Sequence, residues 1–153
     1  MSDQIAQELA FWENRQGYEF GHSEYIEITQ EMINKFAEAT GDYQWIHTDV
    51  ERAKKESPFK TTIAHGYLTQ SLIPALLSAF EEPQLAKVKV NYGIEELRFK
   101  EPVPVNSRVR LKASIHDIKN LRGTLRTKLK VQLEIEGKKK PAYTGIVVLL
   151  YQF

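Results

Sequence analysis

Cysteine is absent from the 153-residue sequence. Without it the chain has no disulfide bonds, no thiolate metal ligands and no cysteine nucleophile. An excess of one charge is missing as well, because 21 lysine and arginine residues stand against 20 aspartate and glutamate residues. No overall field draws such a chain to nucleic acid or to an anionic membrane, and we expect neither as a partner.

Export signals and long apolar runs are also missing. The N-terminus has neither the basic start nor the apolar run of a secretory signal. The least polar stretch, residues 63–80, has no Lys, Arg, Asp or Glu, but it contains other polar side chains and is short for a bilayer span. We therefore predict a cytoplasmic protein with no membrane-spanning helix.

The composition that remains, 42% apolar and 27% charged, is typical of one globular domain covering residues 1–153. The first part of the chain carries helical patterns. Apolar spacing predicts an amphipathic helix over residues 4–12. A second helix is predicted between Thr29, which is placed to cap its start, and Gly41, which ends it.

Residues 41–47 are predicted to form an ordered loop between two helices. Thr48 and Glu51 stand at capping-box spacing, so a third, short helix should start just after this loop and run to about Glu56. Helices at both ends fix the loop, which can then hold side chains in one geometry.

A long helix is predicted from about Gly66 to Phe80. Apolar or small residues occur nearly all round it, which is typical of a helix surrounded by protein. Pro74 lies inside this stretch and removes one backbone hydrogen bond, so we expect a bend or a break there.

From Lys87 onward the apolar residues alternate with polar ones, which predicts four or five strands with one buried face. The apolar positions are Val88, Val90 and Tyr92, then Val109, Leu111, Ala113 and Ile115, then Leu125, Leu129, Val131, Leu133 and Ile135. Residues 146–150 are continuously apolar, as in a strand in the middle of a sheet.

The turn before the last strand contains Gly137 and the lysines of residues 138–140, which we interpret as a solvated loop rather than a phosphate-binding patch. An antiparallel sheet wrapped around the long central helix buries that helix most simply. The predicted fold is therefore α+β and of the hot-dog type.

Asp42 and His47 are the first candidates for chemistry. A carboxylate and a neutral imidazole that share one water can take a proton from it and return one to a neighbouring atom. The structural alternative is that Asp42 caps a local turn and His47 makes a local hydrogen bond. His22 and His116 fall in a loop and on the polar side of a strand, which predicts ordinary surface residues.

His65 and Gly66 stand at the start of the predicted long helix. The first N–H groups of a helix have no internal partner, so the Gly66 N–H can hold an oxygen that gains negative charge. The alternatives are a glycine chosen for close packing and a histidine that fixes the helix start.

Other catalytic arrangements have weak support. His47, Asp49 and His65 do not show a known metal-ligand spacing, and we predict no metal site. Ser71 has no nucleophile-elbow context, and no phosphate-binding glycine motif is present.

Two segments closely resemble the MaoC-like dehydratase family: Ala39-Thr40-Gly41-Asp42-Tyr43-Gln44-Trp45-Ile46-His47-Thr48-Asp49 and Ile63-Ala64-His65-Gly66-Tyr67-Leu68. The similarity is greatest to the branch named for nodulation protein N, to which Asn91-Tyr92-Gly93, Arg98-Phe99 and Pro102-Val103 are also similar. The resemblance extends from about Ile28 to the end of the strands.

This resemblance implies a homodimeric hot-dog protein that adds water to a trans-2-enoyl thioester, giving an (R)-3-hydroxyacyl thioester, or runs the reverse reaction. The catalytic Asp and His of the family fall on Asp42 and His47, and its oxyanion-binding glycine falls on Gly66. By the same analogy, Gln44, Trp45, His65 and Tyr67 are expected to contact substrate.

The substrate implied is an acyl thioester of coenzyme A or of an acyl-carrier protein, with no other cofactor. One departure concerns Gln44-Trp45, where the best-known hydratases have Asn-Pro; it bears on the shape of the acyl pocket. Two alternatives stay open: a hot-dog acyl-CoA thioesterase, and a non-catalytic subunit that binds acyl thioesters.

Overall fold

Six helices and six strands make up residues 2–153, which the computed structural model describes. The helices are α1 (Asp3–Glu13), α2 (Gln30–Thr40), α3 (Trp45–Thr48), α4 (Val50–Glu56), α5 (Gly66–Ser71) and α6 (Ile73–Leu77). The strands are β1 (Glu19–His22), β2 (Ile26–Glu27), β3 (Val88–Phe99), β4 (Arg108–Asn120), β5 (Thr124–Ile135) and β6 (Tyr143–Gln152).

The strands form one antiparallel sheet in the order β1-β4-β5-β6-β3, with β2 also paired to β4. The alternating apolar residues predicted for β4 and β5 are buried, which confirms the period-two pattern there. They form one core with α5 and α6, to which Leu68, Ile73, Leu76 and Leu77 contribute. The α+β arrangement of sheet and central helices is therefore confirmed.

The long central helix consists of two short helices, α5 and α6, that meet at Leu72. The predicted break occurs, but two residues before Pro74. Proline is compatible with the first turn of a helix, where its missing N–H would have no partner in any case. Pro74 is therefore accommodated within the start of α6 rather than at the break itself.

The prediction that this helix is surrounded by protein was wrong for the single chain. Tyr67 is 68% exposed, and Pro74 and Ala75 are exposed as well. The sheet covers only one side of α5 and α6. An uncovered helix face thus runs beside the cavity described below.

Strand β3 also differs from the expectation of one buried face. Val88 is 47% exposed and Tyr92 is 67% exposed. The reason is topological: β3 lies at the edge of the sheet and pairs only with β6. Alternation in sequence does not distinguish a strand packed on a core from an edge strand whose apolar side is open.

The region before α2 contains two strands that the sequence patterns did not predict. His22, assigned to a loop, lies in β1, and its Nε2 is 3.2 Å from Oε1 of Glu134. Gly21 has a φ of 84°, and a register shift within β1 lies at this residue. The glycine therefore permits a β-bulge.

Two helix starts near the site can be compared with their predicted caps. Thr29 caps α2 as predicted, because its hydroxyl accepts a hydrogen bond from the Met32 N–H. The predicted cap at Thr48 was wrong. Asp49 caps α4 instead, accepting from the Arg52 N–H at 2.9 Å. Since α3 precedes it, His47 lies in a single helical turn rather than in a loop.

Within residues 2–153, no helix is both long and apolar enough to cross a membrane.

Candidate active site

His47 is held with one ring nitrogen free. The turn of α3 buries the side chain, and its Nδ1 lies 2.7 Å from the carbonyl oxygen of Ile63. A carbonyl only accepts hydrogen bonds, so Nδ1 carries the proton and donates it. In the neutral ring, Nε2 then has a free lone pair and can act as a base.

Burial lowers the pKa of His47 below its ordinary value, because the charged ring is poorly solvated. The hydrogen bond to Ile63 and the negative charge of Asp42 act in the opposite direction, and nearby His65 acts in the same direction as burial. The net effect favours the neutral imidazole, which is the form that can accept a proton.

Asp42 follows the C-terminus of α2. Gly41 ends that helix in the left-handed conformation with φ of 78°, which turns the chain toward α3. The Asp42 side chain is 51% exposed, and its Oδ1 accepts a hydrogen bond from the Gln44 N–H at 3.3 Å. Its carboxylate is therefore partly oriented while still open to solvent and ligand.

His65 connects these two groups. Its ring stacks on that of His47 with centroids 4.0 Å apart and planes 28° apart. Its Nε2 donates to the carbonyl oxygen of Asp42 at 2.9 Å, and only 2% of the residue is exposed. His65 Nδ1 is buried and has no hydrogen-bond partner among residues 2–153.

A carboxylate oxygen of Asp42 and ring nitrogens of His47 and His65 all lie within 4.8 Å of one another. One water with hydrogen bonds of roughly 2.8 Å to two partners can bridge such a distance. The trio thus provides the arrangement that one shared water requires.

The same trio is a poor metal cage. Imidazole lone pairs lie in the ring plane, and the nearly parallel planes of His47 and His65 do not direct two lone pairs at one ion about 2 Å away. Asp49, the third residue considered from sequence, caps α4 instead. The geometry thus favours water over a metal ion at this position.

A cavity of about 470 Å³ opens beside these residues, within the size range of small-ligand sites. Its walls combine a few polar groups with a mostly apolar lining. The lining residues are Asp42, His47, Ile63, Ala64, His65, Gly66, Tyr67, Thr69, Phe99, Lys100, Glu101, Pro102, Val103 and Ala142.

Gly66 is the first residue of α5 and lines this cavity. Its N–H has no acceptor inside the helix. A Cβ at this position would lie 3.0 Å from Cε1 of Phe99 and 3.1 Å from its Cζ, so close packing also favours glycine here. Both interpretations of Gly66 from sequence therefore have a physical basis.

The other residues expected to contact substrate fall into two groups. His65 and Tyr67 line the cavity, whereas Gln44 and Trp45 do not. Instead, the guanidinium group of Arg52 lies over the Trp45 ring. The distance from the Arg52 Cζ to the ring centroid is 4.4 Å. A role for Gln44 and Trp45 in substrate binding stays a prediction.

Two contributors to the site were not identified from sequence. Ile63 acts through its backbone carbonyl, which no side-chain pattern can indicate. Phe99 ends the edge strand β3 and reaches Gly66, a contact between distant parts of the chain. Only the resemblance, which includes Arg98-Phe99, pointed toward this region.

Comparison with known proteins shows the family to which the chain belongs. The family model described as the MaoC like domain matches residues 12–137. The 3-hydroxyacyl-thioester dehydratase Z of Mycobacterium tuberculosis is 43% identical over 136 residues, covering 88% of this chain and 89% of that protein. Nodulation protein N of Rhizobium leguminosarum bv. viciae is 41% identical over 148 residues, covering 95% and 91%.

Among solved structures, the R-hydratase PhaJ1 from Pseudomonas aeruginosa superimposes with a TM-score of 0.73 at 22% sequence identity. The superposition covers 90% of this chain and 81% of that one, which shows a shared fold. Both the family match and the relatives extend over most of the chain. The chain therefore belongs to the MaoC-like dehydratase family and has its hot-dog fold.

Proposed function

We propose that this protein is an (R)-specific hydratase/dehydratase that interconverts trans-2-enoyl and 3-hydroxyacyl thioesters. The observation that carries the proposal is a ring nitrogen of His47 within 4.8 Å of an Asp42 carboxylate oxygen, at the wall of a largely apolar cavity. The dehydratase name of a relative at 43% identity supports the same reaction class.

In the hydration direction, Asp42 and His47 orient one water beside the enoyl double bond. The water oxygen bonds to C3 while its proton passes to the acid/base pair, and a proton from the pair is delivered to C2 on the same face. The sum is addition of one H₂O across the double bond. Dehydration follows the same steps in reverse.

Negative charge develops on the thioester oxygen when oxygen bonds to C3. We assign its stabilisation to the Gly66 N–H, which starts α5 at the cavity wall. The aromatic ring of Phe99 packs against Gly66 and covers one side of it. A donor in a water-poor setting stabilises such charge more strongly than one in bulk solvent.

The substrate handle is coenzyme A or an acyl-carrier pantetheine arm, and the chemistry needs no metal or redox cofactor. Tyr67 and His65 are placed to contact the substrate because both line the cavity. A cytoplasmic location, where such thioesters are made and used, remains part of the proposal.

We also propose that the protein is a homodimer. The edge strand β3 leaves one row of backbone groups unpaired, and exposed edges of this kind promote pairing with another chain. Tyr92 and Ile94 of this strand are exposed apolar residues, and Ile94 lines a groove together with Ser71 of α5 and Pro74 of α6. A second copy would cover both surfaces.

The test is turnover of trans-2-enoyl-CoA substrates of increasing chain length by the purified protein. Loss of the conjugated double bond, with (R)-3-hydroxyacyl-CoA as product, is the expected result. Release of free thiol without loss of the double bond would instead identify an acyl-CoA thioesterase. Binding of enoyl-CoA of every length without turnover would identify a non-catalytic acyl-thioester-binding subunit.

A further inference from the structure

The hairpin between β5 and β6 lies at the rim of the candidate active site. Lys100, just after β3, donates its backbone N–H to the Ala142 carbonyl at 2.8 Å, and both residues line the cavity. Glu101 lines it as well, and the Nζ of Lys140 lies 4.0 Å from Glu101 Oε1. Lys140 therefore stands beside the cavity, and Lys138 and Lys139 precede it in the same turn.

This rim carries an excess of positive charge, although the chain as a whole has a net charge of only +1. We call Lys100, Lys138, Lys139 and Lys140 the rim lysines. The nearest acids do not balance them: Glu101 contacts Lys140 alone, and Glu136 is bound by Arg108 at 3.0 and 3.2 Å. Among residues 2–153, Lys100, Lys138 and Lys139 take part in no ion pair.

Several other cations of the sheet are neutralised. Arg110 pairs with Glu134, Arg126 with Asp117, and Lys128 with Glu95. Adjacent lysine ammonium groups repel one another, so a cluster without counter-ions is held together only by the chain. An anionic ligand would relieve that repulsion.

We propose that the rim lysines bind the phosphate groups at the end of the pantetheine arm of the thioester substrate. This inference rests on the proposed function, which places the thioester carbonyl at Gly66 and so directs the arm out of the cavity. The lysine ammonium group is a strongly hydrated point charge on a flexible stem, suited to phosphate at an exposed site. Coenzyme A and a carrier protein's prosthetic arm share this chemistry.

The sheet also offers a matched control. Lys112 and Lys130 take part in no ion pair within residues 2–153, but they lie on the sheet face opposite the helices. They line a separate depression with Ser114, Gln132 and Thr144. Replacing both Lys112 and Lys130 changes the net charge of the protein but leaves the cavity rim intact.

The experiment compares the rim variant Lys139→Gln/Lys140→Gln with Lys112→Gln/Lys130→Gln, which removes the same number of charges, and with the unchanged protein. Substrates are one trans-2-enoyl chain carried on coenzyme A, on 4′-phosphopantetheine and on pantetheine. The rim variant is expected to raise KM for the coenzyme A thioester about tenfold with little change in kcat, as several exposed charge contacts would. KM for the pantetheine thioester, which has no phosphate, should stay the same.

The phosphopantetheine substrate identifies the phosphate involved. An equal rise in its KM assigns the site to the phosphate beside pantetheine, which a carrier protein also has. An unchanged KM assigns it to the nucleotide phosphates of coenzyme A. Added salt should raise KM for the coenzyme A thioester in the unchanged protein and have much less effect in the rim variant.

Three results would overturn the proposal: no change in KM for either phosphate-containing thioester, an equal rise for the pantetheine thioester, or an equal effect of the Lys112/Lys130 variant. Binding of free coenzyme A, measured by calorimetry, separates this proposal from the proposed function. If no thioester is turned over, about tenfold weaker binding by the rim variant still supports the phosphate site, and equal binding rejects it.

Discussion

The imidazole rings of His47 and His65 are stacked 4.0 Å apart, and the Nε2 of His65 donates to the Asp42 carbonyl at 2.9 Å. One buried side chain thus contacts both members of the proposed acid/base pair. Because His65 holds the backbone of Asp42 and one face of His47, we infer that it positions the pair.

Substitution of His65 can separate its two contacts. His65→Phe keeps an aromatic ring for stacking but removes the donor, whereas His65→Gln keeps an N–H donor and removes the ring. Displacement of Asp42 by the Phe variant should lower kcat by on the order of 10²-fold with little change in KM. The Gln variant should retain more activity. Equal kcat in both variants and the unchanged protein would remove His65 from this role.

The pH dependence of kcat/KM should report His47. Its pKa is lowered, mainly by burial, so the ring stays neutral and basic as the pH falls to the ordinary histidine value of 6.5. Hydration should therefore decline only below that value. Nearby His65 contributes to the lowering of the His47 pKa. The variant His65→Phe should therefore shift the acidic limb of the pH profile to higher pH. An acidic limb above 6.5 in the unchanged protein would contradict the buried neutral base.

The same lowered pKa has a consequence for stability. The unfolded chain binds the His47 proton more tightly than the folded one, so the free energy of unfolding decreases as the pH falls below the ordinary value of 6.5. The decrease continues down to the lowered folded pKa. Thermal melting should show a smaller loss between neutral and mildly acidic pH in His47→Gln. An unchanged loss would mean that other groups account for it.

The Gly66 N–H can be tested despite its tight packing. Proline at this position would crowd Phe99, because even a Cβ would lie 3.0 Å from that ring. In a Phe99→Ala background, Gly66→Pro and Gly66→Ala both add a Cβ, but only proline lacks the N–H. We expect kcat to be lower by on the order of 10²–10³-fold in the proline variant. Similar rates in two folded variants would place the oxyanion donor elsewhere.

Several features of the fold were predictable because they depend on local sequence. The Thr29 cap, the Gly41 end of α2 and the buried alternation of β4 and β5 all follow from nearest neighbours along the chain. In contrast, the exposure of Val88 follows from the edge position of its strand. Strand order is set by long-range pairing, which periodicity does not specify.

The candidate site shows the same division. Asp42, His47 and Gly66 were selected from residue type and resemblance, and the structure brings them to one cavity. The orientation of His47 depends on the Ile63 carbonyl, sixteen residues away. The link from His65 to Asp42 spans 23 residues. Contacts at such separations depend on the path of the chain and have no local signature.

The homodimer can be tested at the edge strand. Tyr92→Lys/Ile94→Lys places two charges on exposed apolar positions of β3 and should give a monomer in sedimentation at micromolar concentration. Leu121→Lys is the control, because Leu121 is 49% exposed but lies in the turn between β4 and β5. We expect the control and the unchanged protein to be dimers. A monomeric unchanged protein with full activity would reject the shared interface.

The proposed acid/base pair has matched controls for substitution. His22→Gln replaces a histidine in β1 that does not line the cavity, and Glu38→Gln replaces an exposed carboxylate on α2. Both controls should hydrate enoyl-CoA at nearly the normal rate. Thermal melting of every variant checks that lost activity does not reflect unfolding.

The most direct measurement is the hydration rate of trans-2-enoyl-CoA at saturating substrate by Asp42→Asn, His47→Gln and the double variant. Each single substitution should lower kcat by about 10²–10⁴-fold with a much smaller change in KM, because a positioned acid/base group contributes that much. The double variant should be scarcely slower than the slower single one, since both residues act on the same water. A folded single variant that keeps more than about a tenth of the normal kcat, or that changes only KM, would contradict the acid/base role of that residue.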